Sequence, residues 1–179
     1  MRIIGGTHRG RKLAEFAGND VRPTSDRVKE SLFNILSVKI VGATVLDLFC
    51  GSGSLGLESL SRGALKAHFN DVSKDSLAIL KKNITALKEG EKCVLTNYDY
   101  TAYLAGVKEK FDVIFIDPPY RFDYGRRALE IISSRKLLTE QGVAVYERDV
   151  PFAGEIDGLE MYDERKYGKT YLSFFKVKE

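Results

Sequence analysis

The 179-residue sequence is poor in cysteine and histidine, with two of each, and it contains no long apolar run. Cys50 and Cys93 have neither metal-binding nor redox spacing, which is typical of reduced thiols in the cytoplasm. His8 and His68 stand apart in the sequence, so we expect no zinc or iron site. No stretch approaches the roughly 20 apolar residues of a membrane span, and the start, MRIIGGTHRGRKL, lacks the apolar core of a secretory signal. We therefore expect a cytoplasmic protein without a metal ion or a membrane segment.

Positive charge is concentrated at one end of the chain. The composition, 44% hydrophobic and 30% charged, is that of an ordinary globular protein, and the length fits one domain over residues 1–179. Residues 1–40 carry a net charge of +4, and the remainder carries −1. A basic segment on a nearly neutral body favours nucleic acid as a partner, although a solvated basic arm has the same composition. We predict a basic nucleic-acid-binding extension over 1–40 and a core over 41–179.

The basic extension has its own structural pattern. Residues 2–17 predict a short extended pair around Gly5-Gly6 and Gly10. A helix is expected to begin after Thr24 or Ser25, either of which can cap it, and to continue to about Lys39. Its buried face is predicted to consist of Val28, Leu32, Ile35 and Leu36.

Apolar runs and amphipathic segments alternate through the core. The predicted strands are TVLDLF, KAHFN, CVLTN, FDVIFID and GVAVYE, and helices are expected over 54–62, from Ser73 with Leu77, Leu80, Ile84 and Leu87 on one face, and over 126–134. After Pro151, LEMYDERKYG and KTYLSFFKVK predict an antiparallel hairpin that turns at Gly168-Lys169. The fold class is therefore α/β, with a mostly parallel seven-stranded sheet that ends in an antiparallel C-terminal hairpin.

Acidic residues follow four of the predicted strands. Asp47, Asp71, Asp99 and Asp117 each lie at or just beyond a strand end. In a parallel sheet these ends share one edge, where ligands bind near the point at which the strand order reverses. The convergence of four acids on this rim is the main functional signal of the sequence.

A glycine-rich loop follows the first predicted strand. DLFCGSGSLGLES contains Gly51, Gly53 and Gly56 in G-x-G-x-x-G spacing between a strand and a helix. Glycines allow the backbone to turn sharply and approach a ligand, and the helix N-terminus favours negative charge. Asp71, 20 positions after Gly51, is placed to accept hydrogen bonds from ribose hydroxyls. The pattern fits a dinucleotide-binding dehydrogenase, an adenosyl-cofactor enzyme or, less readily, a structural turn.

Three features favour the adenosyl cofactor over a dinucleotide. Asp47 precedes the glycines closely, where it would repel a pyrophosphate but tolerate the ammonium of an amino-acid tail. From a chain of 179 residues we expect no further domain that could hold a partner for hydride transfer. The sequence Asp117-Pro118-Pro119-Tyr120, finally, has no use in hydride transfer.

A resemblance to a known family appears in five segments, LDLFCGSGSLGLES, NYD, IDPPY, RIIGGTHRGRKL and RPTSDRVKESLFNIL. The first three resemble class I S-adenosylmethionine-dependent methyltransferases that modify exocyclic amines of bases. The last two narrow the resemblance to the RsmD family, bacterial enzymes that methylate guanine N2 in 16S ribosomal RNA. The resemblance covers essentially the whole chain. It implies a Rossmann-like class I fold with a small N-terminal β/α extension, and S-adenosylmethionine as cofactor. It also implies a monomeric cytoplasmic enzyme acting on 16S ribosomal RNA or the assembling small subunit.

The resemblance also assigns a cofactor site. In it, Asp71 would bind the ribose and Asp99 the adenine amino group, with the Tyr100 backbone at the ring edge. The implied cofactor residues are Asp47, Phe49, Gly51, Gly53, Gly56, Asp71, Asp99, Tyr100, Arg22 and Thr24. Simpler roles stay open, with Thr24 as a helix cap, Arg22 as a surface charge and Asp99 as a turn residue. Two departures from the family pattern are Cys50 in the glycine loop, a position often held by a smaller residue, and the turn NDVSKDS, where relatives commonly carry Glu.

The catalytic prediction concerns the four residues that follow the fourth strand. The lone pair of an aromatic amine is delocalised into the ring, so acceptors on its N–H bonds would direct that lone pair toward a methyl donor. Asp117 and the Pro118 carbonyl supply two acceptors, and Pro118-Pro119 fix the carbonyl because their φ angles are locked. Tyr120 would stack on the extruded base. The alternatives are a helix cap or ion-pair partner for Asp117 and surface packing for Tyr120.

The RNA-binding residues are predicted from the basic extension and the catalytic loop. Arg9, Arg11 and Lys12 are expected to contact phosphates. The resemblance implies a place for Arg27 beside the cofactor and the RNA, with a surface charge as the simpler alternative, and Tyr120 would contact the base. The nearest rival function is adenine-N6 methylation of DNA or another RNA, because the same tetrapeptide serves either amine. A non-catalytic nucleic-acid-binding protein with a cofactor fold is the rival from another class, and a nicotinamide dehydrogenase comes last.

Overall fold

The computed structural model describes residues 1–16, 25–119 and 123–179. Three predicted site residues, Arg22, Thr24 and Tyr120, lie outside these described residues. The helices are α1 (Asp26–Ile35), α2 (Ser37–Ile40), α3 (Ser54–Ser61), α4 (Lys74–Leu87), α5 (Tyr100–Gly106) and α6 (Tyr124–Ser134). The strands are β1 (Thr44–Asp47), β2 (Lys66–Asn70), β3 (Cys93–Thr96), β4 (Phe111–Ile116), β5 (Leu138–Arg148), β6 (Leu159–Tyr167) and β7 (Thr170–Val177).

The seven strands form one sheet in the order β3-β2-β1-β4-β5-β7-β6. The first five are parallel to their neighbours, and β7 runs antiparallel between β5 and β6. This confirms the predicted α/β class and the C-terminal hairpin, whose strands are joined at Gly168-Lys169. From β1 the chain adds β2 and β3 on one side of the sheet, and β4 then lies on the other side of β1 and is followed by β5. The strand order therefore reverses between β1 and β4, which is where a ligand crevice is expected.

Two apolar layers cover the sheet. Strand side chains alternate in direction, so Val45, Val113 and Phe115 belong to one layer and Leu46, Ile114 and Ile116 to the other. The first layer also contains buried residues of α1, α3 and α4. The second layer contains buried residues of α5 and α6. The loops after β1 and β4 therefore leave the sheet between two fixed layers of helices.

The predicted helix of the basic extension is wrong in two respects. It is interrupted at Leu36, giving α1 and the short α2, and Ser25 caps α1 by accepting the Val28 N–H at 3.3 Å. Ile35 is 39% exposed instead of buried. Two residues that the apolar pattern did not select, Phe33 and Lys29, are fully buried. The first contacts Phe115, and the second is buried because a carboxylate of α3 balances its charge.

Helix α5 was not predicted, whereas α4 was. Ser73 caps α4 by accepting the Ser76 N–H, and the four apolar residues assigned to its face are all buried. Helix α5 has only seven residues and buries only Tyr103 and Leu104, too little to show a helical period. In the described part of the chain, no helix combines the length and apolar character that crossing a membrane requires.

The first 16 residues form an arm that lies against α3 and α4. The arm folds back on itself through an isolated antiparallel bridge between Arg2 and Lys12, in agreement with the predicted extended pair. Glu58 of α3 is fully buried and accepts the N–H groups of Ile4 and Gly5, each at 2.8 Å. It also pairs with Lys29 at 3.3 Å, so the arm, α1 and α3 meet at one buried ion pair.

Candidate active site

The three glycines of the loop between β1 and α3 have different roles. Gly51 has a φ of +52°, and a side chain at this position would meet open space. A Cβ at Gly53, where φ is +86°, would lie 2.3 Å from Leu80 of α4, and one at Gly56 would lie 2.2 Å from Phe69 of β2. Gly53 and Gly56 thus allow α3 to pack closely, while Gly51 leaves the backbone accessible to a ligand.

Asp47 lies beneath this loop with its carboxylate buried. It is 2% exposed and accepts the Gly56 N–H at 2.9 Å, so this N–H is directed at Asp47. Burial raises the pKa of Asp47 from its ordinary value of 3.8 to about 7, and the charge of Asp71 adds to the rise, while the hydrogen bond opposes it. A bound cation would hold this carboxylate ionised at neutral pH.

Asp71 is fixed at the end of β2 by two backbone groups. Its two carboxylate oxygens accept the Gly51 N–H at 2.9 Å and the Ser73 N–H at 2.8 Å. Each carboxylate oxygen can accept further hydrogen bonds, and the residue is partly exposed at the rim. Asp71 therefore links the glycine loop to the start of α4 while keeping acceptor capacity for hydroxyl groups.

Two asparagines that sequence reasoning missed shape the same rim. Asn70 is 1% exposed and bonds to both the N–H and the carbonyl of Tyr98, at 3.2 and 3.0 Å. Asn97 donates to the carbonyls of Asp71 and Val72, at 2.8 and 2.9 Å. The loop after β3 is thereby held against the end of β2. The available signal was the presence of an amide at two strand ends.

Asp99 is the residue before α5 and caps this helix. Its carboxylate accepts the Thr101 N–H at 2.9 Å and also the Thr101 hydroxyl, and these bonds, led by that of the hydroxyl, lower the pKa of Asp99. This capping is compatible with a purely structural role, and contact with adenine stays a prediction. Tyr100 packs between Phe49 and Tyr124, each with its ring centroid 5.2 Å away. These three rings form an aromatic wall beside the rim.

Asp117 leaves the sheet directly after β4, next to the reversal of strand order. The register pairs Ile116 of β4 with Tyr146 of β5. The residues that follow these two, Asp117 and Glu147, therefore lie side by side, and Glu147 is 6% exposed. Burial raises the pKa of Asp117 well above its ordinary value, and the charges of Glu147 and then Asp47 contribute. Pro118 is buried and Pro119 is exposed, so the chain turns outward here.

Glu147 is the acid of the rim that the sequence analysis did not select. The rule that found the four aspartates also applies to it, because it closes the predicted strand GVAVYE. The charge of Asp71 acts on Asp47, and the charges of Glu147 and Asp47 act on Asp117. Four carboxylates therefore converge near the reversal of strand order, while Asp99 lies beside the aromatic wall. Cys50 is buried and its pKa is raised by burial, which agrees with a structural thiol.

Four of the predicted RNA-binding residues lie on the arm and α1, and the fifth, Tyr120, lies outside the described residues. Arg9 and Arg27 line a cleft of about 270 Å³ between these two segments, together with Asp26 and Glu30. Arg11 and Lys12 are exposed on the same arm. The prediction that these four cations face one partner is compatible with this placement.

The strand order, the glycine loop over a buried acid and the acidic rim define a class: the Rossmann-like S-adenosylmethionine-dependent methyltransferases. Residues 1–176 match the model of a family described as conserved hypothetical protein 95, and the chain belongs to that family. The Bacillus subtilis protein YlbH is 36% identical over 98% of both chains. Ribosomal RNA small subunit methyltransferase D of Haemophilus influenzae is 39% identical, over 83% of this chain and 79% of its own.

A solved structure confirms the fold. The Escherichia coli protein yhhF superposes with a TM-score of 0.90 at 33% identity, covering 99% of this chain and 98% of that one. The agreement extends over the arm, the sheet and the C-terminal hairpin because nearly the whole of both chains is included. The protein is therefore an enzyme of the methyltransferase class that uses S-adenosylmethionine.

Proposed function

We propose that this protein transfers a methyl group from S-adenosylmethionine to the exocyclic N2 amine of a guanine in 16S ribosomal RNA. The observation that carries the proposal is the position of Asp117, an acceptor beside Asp47 and the glycine loop at the reversal of strand order. The relative named ribosomal RNA small subunit methyltransferase D supports the substrate. We further propose that the enzyme acts in the cytoplasm as a monomer without a metal ion.

The residues of the rim fit this cofactor. When bound, S-adenosylmethionine supplies a methyl group activated on a sulfonium. Asp47 offers a buried carboxylate to the cationic amino-acid tail, and Asp71 offers acceptors to the ribose. Open space beside Gly51 leaves room for close approach of the ligand. The remaining proposed contacts are Phe49, Gly53, Gly56, Asp99, Tyr100, Arg22 and Thr24, of which Gly56 acts through its hydrogen bond to Asp47.

The target amine is held by acceptors from the loop after β4. The Asp117 carboxylate and the Pro118 carbonyl accept its two N–H bonds, so the nitrogen lone pair points away from them toward the methyl donor. The transfer leaves a surplus proton on nitrogen, and the ionised Asp117 carboxylate is suited to receive it because its raised pKa makes it a stronger base. Pro119 stiffens the loop, and Tyr120 stacks on the guanine.

The basic extension over 1–40 binds RNA, and residues 41–179 bind the cofactor and carry out the transfer. Arg9, Arg11, Lys12 and Arg27 contact phosphates, which supply affinity without base sequence. The buried pair of Lys29 and Glu58 fixes the extension on the core, so these cations keep a defined position relative to the rim.

Labelled methyl transfer tests the proposal. Small ribosomal subunits and naked 16S RNA from cells lacking the gene are incubated with labelled cofactor and enzyme, and the nucleosides are separated. We expect label in N2-methylguanine with wild type and strongly reduced label with Asp117→Ala. Label in N6-methyladenine would establish the rival function, since the same loop serves either amine. The absence of label with both substrates would contradict the proposal.

A further inference from the structure

Asn83 of α4 connects the N-terminal arm to the glycine loop. Its side chain is 3% exposed, and its Oδ1 accepts the Ala14 N–H at 2.7 Å. Its Nδ2 donates to the Ala14 carbonyl at 3.1 Å and to the Ser52 carbonyl at 3.0 Å. One buried amide thus bonds to both polar backbone groups of Ala14 in the arm and to Ser52 at the centre of the glycine loop, which we also call the cofactor loop.

Ser52 lies between two glycines with positive φ, where the loop backbone has most conformational freedom. Its neighbours are fixed by other bonds, since the Gly51 N–H binds Asp71 and the Gly53 N–H binds the Cys50 carbonyl at 2.7 Å. The Ser52 carbonyl and the Gly53 N–H belong to the same peptide group, so Asn83 and the Cys50 carbonyl hold its two ends. The orientation of this peptide group therefore depends in part on a side chain that the arm also holds.

A second connection lies on the other side of Gly53. The fully buried Lys29 donates from its ammonium to the Ser54 hydroxyl at 3.1 Å and to the Arg2 carbonyl at 2.5 Å. Ser54 is the first residue of α3. The arm is thus bonded, through one side chain each, to the residues on both sides of Gly53, so displacement of the arm would disturb the loop at two points.

We propose that Asn83 is a positioning residue that couples the cofactor loop to the RNA-binding arm. This coupling rests on the cofactor site and the RNA-binding role of the arm proposed above. Because Asn83 bonds to both segments, two arrangements occur together in one state of the protein. In that state the glycine loop is shaped to receive the cofactor, and the arm is docked so that it presents Arg9, Arg11 and Lys12. Either ligand stabilises that state, so each strengthens the binding of the other by the same factor.

Ser61 provides a matched control for a merely structural role. It is 1% exposed, and its hydroxyl accepts the His8 N–H at 2.9 Å and donates to the Gly5 carbonyl at 2.6 Å. Both of these bonds go to the arm, so Ser61 anchors the arm at the last residue of α3, away from the glycine loop that precedes this helix. Both Asn83→Ala and Ser61→Ala remove hydrogen bonds to the arm, while the bonds of Ile4 and Gly5 to Glu58 keep it docked, and only Asn83→Ala also releases Ser52.

The test measures two affinities of the full-length protein. Calorimetry gives the affinity for S-adenosylhomocysteine. Filter binding gives the affinity for a 16S RNA transcript, once with and once without S-adenosylhomocysteine. In wild type, we expect the small ligand to tighten RNA binding. In Asn83→Ala, we expect S-adenosylhomocysteine to bind about tenfold more weakly, because one or two buried hydrogen bonds are lost, and its effect on RNA binding to disappear. In Ser61→Ala, its affinity should stay within about twofold of wild type even where thermal stability falls.

Ala14→Pro is the second variant, in case Asn83→Ala does not fold. It removes the N–H that Asn83 accepts, on an exposed residue, and does not touch the bond of Asn83 to Ser52. We expect it to reduce the coupling between the two ligands. Equal losses of cofactor affinity in Asn83→Ala and Ser61→Ala, wild-type affinity in Asn83→Ala, or a wild type without coupling would each overturn the inference. A wild type that binds no S-adenosylhomocysteine would instead overturn the proposed function.

Discussion

Replacing Asp47 with Asn should stabilise the ligand-free protein while weakening the binding of the cofactor. Asp47 is 2% exposed, and its pKa is raised from 3.8 to about 7 chiefly by burial. Such a rise corresponds to at most about 4 kcal/mol of free energy between the ionised and neutral forms. We expect about half of that, roughly 2 kcal/mol, because relaxation and water penetration reduce the cost of a buried charge.

The sign of the pH dependence follows from the direction of this shift. Since the pKa of Asp47 is higher in the folded than in the unfolded state, the folded protein binds more protons between about pH 4 and pH 7. The contribution of this residue to the free energy of unfolding is therefore greatest at low pH and is lost as the pH rises through that window. Asp47→Asn should remove this loss of stability because an amide does not ionise. Its oxygen still accepts the Gly56 N–H, so the hydrogen bond is kept.

The assay is urea unfolding of the ligand-free protein at pH 5 and pH 8, with calorimetry of S-adenosylhomocysteine at pH 7. We expect Asp47→Asn to gain stability at pH 8 and to bind the ligand at least about tenfold more weakly, because a charged partner of its ammonium is lost. Asp112→Asn is the control, since Asp112 bonds to the Thr44 N–H at the opposite end of β1. An unchanged pH dependence together with unchanged ligand affinity would refute the reasoning.

Three further predictions concern ribose, RNA and packing. Asp71→Ala should weaken the binding of S-adenosylhomocysteine by roughly 1–3 kcal/mol in calorimetry, and tighter binding of NAD than of this ligand by wild type would contradict the cofactor assignment. Neutralising Arg9, Arg11 and Lys12 together should weaken RNA binding and flatten its dependence on salt concentration. An unchanged salt dependence would show that the arm does not contact the RNA. Gly56→Ala should cost about 1–3 kcal/mol in urea unfolding, because its Cβ would overlap a buried ring; unaltered stability would contradict the packing role.

Much of the fold follows from local patterns in the sequence. The alternation of strands with helices predicted the parallel sheet, and two extended segments after Pro151 predicted the hairpin. The Ser73 cap and four apolar residues on one face predicted α4. Each of these signals is local in the sequence. The position of acids at strand ends predicted the rim at Asp47, Asp71 and Asp117. The same rule applied to Glu147 would have completed the group.

The remaining features depend on tertiary contacts between polar residues distant in sequence. Lys29 appears in the sequence as a surface lysine and is buried only because Glu58, 29 positions later, faces it. Asn83 appears as an ordinary helix residue until Ala14 and Ser52 are brought to it. Such pairs leave no periodic signal, and neither does α5, whose length is set by its cap and the packing of two side chains.

The most direct test of the central claim is the single-turnover rate of methyl transfer to small ribosomal subunits by Asp117 variants. Asp117→Ala should raise the barrier by a few kcal/mol, which lowers the rate about 100-fold or more, because alignment and a charge-assisted hydrogen bond are lost. Asp117→Asn should be milder, since its amide oxygen still accepts, and the affinity of both for S-adenosylhomocysteine should stay near that of wild type. Full activity in Asp117→Ala would contradict the account.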